Sequence, residues 1–160
     1  MEQQQRAVGL QRVPDGVEVL AFDVGETLID ESRMWAEHAR EVGASPFTLM
    51  ATLGALIERG RDHREVWAAL GTRTPTRPVI PTLSDSRHAG VGPERIMYVG
   101  DRLDNDIRPA RAAGMRTAFL RRGPWGLIQS RRHTVAADLV LDSLEQLTGL
   151  LTERGMGPCP

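Results

Sequence analysis

Asp23 and Asp101 each close an apolar run, VEVLAFD and RIMYVGD, and each opens into a turn. An aspartate at the end of a buried strand is presented at the carboxyl edge of a sheet, where open α/β folds bind their ligands. A carboxylate placed there serves as a nucleophile, a metal ligand or both. In a parallel sheet all carboxyl edges lie on one side, so neighbouring strands would bring the two side chains together. The second run continues GDRLDND, adding Asp104 and Asp106 on the following turn. Several carboxylates without His or Cys partners form a hard oxygen site suited to Mg²⁺, which takes one or two carboxylates, waters and a substrate phosphate. Mg²⁺ beside a carboxylate nucleophile allows phosphoryl transfer through an aspartyl-phosphate, because the metal offsets repulsion between two anions. Helix and turn capping accounts for Asp104. It does not account for Asp23 and Asp101, which both follow strongly apolar strands.

The elements that would position these residues alternate. Residues 17–22 read as a buried strand. From about Glu31 to Leu70 the pattern is helical, with Met34, Trp35 and Ala39 at helical spacing. Ser45-Pro46 is an N-cap followed by proline at the first helical position, and Asp62 can cap a third helix, HREVWAAL. Trp35, Trp67, Met34 and Met50 form the expected core of this helical unit. Residues 72–88 hold three prolines and little periodicity, which reads as a loop. Beyond Pro93 the chain reads strand RIMYVGD, helix NDIRPARAAG, strand MRTAFL, turn RRGPWG, strand ADLVLD and helix SLEQLTGLL. Strands alternating with helices predict an α/β fold with a parallel sheet. The domain reading is a flexible tail over 1–16, an α/β core over 17–30 and 90–150, a helical unit over 31–71 and an irregular linker over 72–89.

Bulk properties narrow the classes. The chain has 160 residues, enough for one domain with a modest core. Its net charge of -1 gives no argument for nucleic acid or an anionic membrane. All basic residues are arginine, so every lysine-dependent mechanism is removed. The single Cys159 excludes an intramolecular disulfide. No apolar run approaches the roughly 18–20 residues of a membrane span, and residues 1–16 do not read as a signal peptide. A soluble cytoplasmic protein is the expectation. The four histidines show no metal-ligand spacing. The arginines flanking RRGPWG read as a solvated loop face.

FDVGETL and VGDRLDNDI, in this order and with these flanking elements, resemble the first and fourth motifs of the haloacid dehalogenase (HAD) superfamily of hydrolases. The likeness covers residues 17–70 and 90–148 and implies a Rossmann-like core with a small helical cap after the first motif. By resemblance, Asp23 is the catalytic nucleophile and a Mg²⁺ ligand. Gly25 offers its backbone carbonyl to the metal, Asp101 is the direct carboxylate ligand, and Asp106 binds directly or through water. Thr27 shapes the substrate-binding loop.

The chain departs from the family pattern in three places. Gly25 stands where phosphatases of the family usually carry a second Asp, an acid and base worth about 10²–10⁴-fold. Glu26 is adjacent but carries little weight as a substitute in a tight turn. No apolar strand between residues 71 and 95 ends in the Ser or Thr that binds the phosphoryl group; Thr82 and Ser84 in VIPTLS are weak candidates. The family's lysine is absent, and Arg77, 24 residues before Asp101 (101 − 77 = 24), is a candidate catalytic surrogate.

The spacing of Asp23 and Asp101, 78 residues (101 − 23), is short for a member with a helical cap. It predicts about four parallel strands, with the Asp23 strand on an exposed edge and homodimerisation through that edge. The expected function is Mg²⁺-dependent hydrolysis of a small phosphorylated metabolite through an aspartyl-phosphate, with impaired activity. The alternative is a non-catalytic remnant that keeps the fold and metal site. A phosphoryl-accepting receiver domain fits poorly, because the chain lacks the late lysine and has a helical insert. Carbon-halogen hydrolysis would use the same Asp without needing the acidic pair.

Overall fold

In a computed structural model, which describes residues 11–76 and 90–155, the fold is built on a four-stranded sheet in the order β1-β2-β3-β4. The strands are β1 (Val19–Phe22), β2 (Ile96–Gly100), β3 (Arg116–Leu120) and β4 (Leu139–Leu141), and every pairing is parallel. This is an α/β fold with a Rossmann-like core. Side chains alternate across the strands. Met97, Val99, Ala118 and Leu120 pack on one face with Leu139, Leu141 and Leu147. Phe119 packs on the other face with Leu103 and Ile107. Burial on both faces explains why β2 and β3 read as continuous apolar runs. β1 is the outer strand among the described residues, and Phe22 on it is exposed.

The helical unit after β1 contains α1 (Ser32–Glu41), α2 (Pro46–Glu58) and α3 (Val66–Ala69), the last preceded by a 3-10 turn over His63–Glu65. Pro46 sits at the start of α2 behind Ser45. Asp62 forms a capping box with Glu65, so the segment read as one helix is a capped 3-10 turn running into a single α-helical turn. Between β2 and β3 lie a π-helical turn (Leu103–Ile107) and α4 (Arg108–Ala112). Between β3 and β4 lies α5 (Gly123–Arg132). The final helix is α6 (Leu144–Glu153), with the Ser143 hydroxyl accepting from Gln146 N.

Two expectations need correction. RRGPWG is not a simple turn: Gly123 opens α5, with Pro124 in its first turn. That helix is anchored by Trp125, which joins Trp35, Trp67, Leu49, Leu53 and Val66 in one buried cluster. The core of the helical unit is therefore shared with the α/β part of the chain. Residues 11–16, read as part of a flexible tail, are packed. Val13 is 2% exposed in the sheet core, Gln11 Oε1 accepts from Val140 N at 2.8 Å, and Pro14 O accepts from Arg154 at 2.8 Å. The polar composition of the segment hides one buried valine and two anchoring hydrogen bonds. Of the segment read as a linker, residues 72–76 hold no helix or strand. Arg77, Thr82 and Ser84 lie outside the described residues.

Candidate active site

β1 and β2 are paired with Phe22 opposite Val99, and Asp23 N extends the ladder by donating to Val99 O at 2.9 Å. Asp23 and Asp101 therefore leave neighbouring strands at the same edge. The π-helical turn returns the chain to that edge: Asp106 Oδ2 accepts from Arg102 N at 2.9 Å. Residue 100 must be glycine for this approach, because a Cβ there would lie 2.6 Å from Asp106 Cβ. Asp23, Asp101 and Asp106 each place a carboxylate oxygen within 4.8 Å of the others.

Asp23 is half-buried, whereas Asp101 is 1% and Asp106 3% exposed. Burial and the neighbouring carboxylates push Asp101 and Asp106 well above the usual carboxylate range. Burial also raises Asp23, opposed by the Val24 backbone and by Thr27, whose hydroxyl donates to Asp23 Oδ2 at 3.5 Å. Thr27 is wholly buried in the turn that carries Asp23. Among the described residues, Asp101 Oδ2 is buried with no hydrogen-bond partner. A buried carboxylate oxygen left unpaired beside two others is costly. A divalent cation answers that cost, and an all-oxygen donor set suits Mg²⁺. The residues present fit such an ion. Asp104 is turned away from the cluster, accepting from Arg102 and from Gln129 Nε2 at 2.9 Å.

Two residues given no role by sequence reasoning stand at the site. Arg102 lies over the Trp125 ring at 4.9 Å, pairs with Asp104 at 2.9 Å and approaches His63 Nδ1 at 3.4 Å. Its charge favours the ionised forms of Asp23, Asp101 and Asp106. Burial and the Arg102 charge keep His63 below its ordinary range. The second residue is Glu31, the N-cap residue of α1. Its backbone N–H donates to Glu26 Oε1 at 3.0 Å, and its Oε2 accepts from Trp35 Nε1 at 3.3 Å. Its carboxylate fills the space beside Gly25: a Cβ on residue 25 would lie 2.5 Å from Glu31 Oε1. Burial, then the charges of Glu26 and Asp23, raise the Glu31 carboxyl above its ordinary range. Glu26 is buried, with φ 54, its carboxylate turned to the Glu31 backbone. The only sequence signal for Glu31 is its place just before a helix, eight residues after Asp23 (31 − 23).

Residues 76–147 match a family model described as HAD-hydrolase-like, a span that includes Asp101 and Asp106 and leaves Asp23 outside. The chain is 36% identical over 84 residues to a glyceraldehyde 3-phosphate phosphatase of Methanopyrus kandleri, covering 52% of this chain and 35% of the relative. It is 31% identical over 65 residues to a glyceraldehyde 3-phosphate phosphatase of Methanocaldococcus jannaschii, covering 41% of this chain and 27% of the relative. The matched segments thus span about a third or less of these relatives. Strand order and the match over residues 76–147 together point to a likeness with the haloacid dehalogenase-like superfamily of hydrolases.

Proposed function

We propose that the protein is a Mg²⁺-dependent phosphatase acting on a small phosphorylated metabolite, with Asp23 as nucleophile. The observation that carries this reading is the meeting of Asp23, Asp101 and Asp106 at one sheet edge. The two phosphatase relatives support a phosphate monoester as substrate, with glyceraldehyde 3-phosphate the first compound to try. Asp23, Asp101, Asp106 and the Gly25 carbonyl would hold the ion. When bound, it would supply positive charge against the substrate phosphate and the carboxylates. Asp23 is the most solvent-accessible of the three carboxylates, so an Asp23 oxygen attacks phosphorus and the alcohol departs. Water then attacks the aspartyl-phosphate, releasing phosphate and restoring Asp23. Thr27 holds the Asp23 turn in place, and Arg102 lends positive charge to its surroundings.

The test is phosphate release from p-nitrophenyl phosphate and glyceraldehyde 3-phosphate with and without Mg²⁺. Turnover should require the ion and fall by at least about 10³-fold in Asp23→Asn, because no intermediate can form without the nucleophile. Activity that survives this substitution removes Asp23 from the role.

A further inference from the structure

We propose that Glu31, delivered from the start of the helical unit, serves as the proton-handling carboxyl of the site, in the space that a side chain on residue 25 would otherwise fill. This assignment rests on the phosphatase reading above.

The geometry has three parts. Position 25 is two residues beyond Asp23, and its Cβ direction leads straight into the Glu31 carboxylate: Oε1 lies 2.5 Å and Cδ 2.8 Å from where that Cβ would be. The two occupants are mutually exclusive, so the glycine and the glutamate explain each other. The carboxylate is also held in that place. Trp35 Nε1 fixes Oε2, the Glu26 carboxylate fixes the Glu31 backbone N–H, and Trp35 is itself buried against Trp67, with ring centroids 6.2 Å apart. Finally, the Trp35 indole engages Oε2 and leaves Oε1 facing Gly25. A half-buried carboxyl that is fixed at one oxygen, with the other turned to the residue two places beyond the nucleophile, is placed to exchange a proton with substrate.

The steps balance. As an Asp23 oxygen bonds to phosphorus, the phosphorus–oxygen bond to the alcohol breaks and the departing oxygen takes the proton from Glu31. In the second half, water attacks phosphorus and gives a proton to the Glu31 carboxylate. The phosphorus–Asp23 bond breaks, returning Asp23 as carboxylate and Glu31 as acid.

A proton is needed by a departing alkoxide and hardly at all by p-nitrophenolate, so kcat/KM on the two classes of ester separates catalysis from scaffolding. Glu31→Gln should lower kcat/KM for glycerol phosphate by roughly 100-fold and for p-nitrophenyl phosphate by no more than about threefold, with Tm unchanged. Gly25→Ala should reproduce that pattern, because its methyl group evicts the carboxylate. Gly25→Ala combined with Glu31→Gln should be no worse than either alone. Gly25→Asp combined with Glu31→Ala should recover at least about tenfold over Glu31→Ala by putting a carboxyl back in the vacated space. Equal losses on both esters, additive losses in the double variant, or failure of the Gly25→Asp rescue each overturn the proposal. Wild-type turnover confined to aryl phosphate also overturns it and leaves the phosphatase reading standing. Wild-type protein without turnover on any phosphate ester overturns both.

Discussion

At the scale of single residues, the site is a balance of charges that burial makes expensive. Asp101 sits among carboxylates with one oxygen unpaired among the described residues, and Asp106 reaches it only because Gly100 has no side chain. Gly100→Ala should push Asp106 away and weaken Mg²⁺ binding at least about tenfold, read by calorimetric titration, since an ion of this type demands near-ideal geometry. Unchanged affinity would remove Asp106 from the donor set. Asp23 and Asp101 were legible because an aspartate after an apolar strand has few other uses. Glu31 was not, because nothing in ESRMWAEHAREV says that its first residue folds back over Gly25.

At the scale of elements, α5 decides how the helical unit sits on the core. Trp125 brings α5 into the cluster of Trp35 and Trp67 and carries Arg102 on its ring, so one side chain joins helical unit, sheet and site. Trp125→Ala should cost about 3 kcal/mol and lower Tm by about 10 °C, while Phe47→Ala on α2, 83% exposed, should change stability by less than about 0.5 kcal/mol. Equal Tm values for the two variants would contradict this account of the packing. Proline and glycine in RRGPWG hid the helix, because the same residues that open a turn also open a helix when proline takes its first turn. The strands gave no such difficulty. Their apolar runs are bounded by charged or turn residues, and their parallel direction followed from alternation with helices.

At the scale of the whole molecule, the acidic site lowers stability as the pH rises. Asp101 is pushed up to about 9 by burial and the charges of Asp106 and Asp23, and Asp106 to about 7 by burial and the charge of Asp23. Below the ordinary carboxylate range both folded and unfolded chains are protonated there. From about pH 4 to about pH 9 the folded state retains protons that the unfolded chain has released, so stability falls as pH rises. In EDTA, Tm should drop by about 5 °C or more between about pH 5 and about pH 8.5. Asp101→Asn should flatten that slope, and Mg²⁺ should raise the wild-type Tm more at the alkaline end than at the acid end. A slope identical in Asp101→Asn would assign the effect to other groups. The sequence by itself determined the parallel α/β core and the aspartates at its edge, since both follow from local runs of apolar residues and the turns that end them. Only the tertiary structure decided that residues 11–16 pack, that Trp125 locks the helical unit to α5, and that Glu31 stands where Gly25 has no side chain. Each of those is a contact between segments distant in the chain or folded back on themselves, set by volume and charge in three dimensions rather than by any pattern along one.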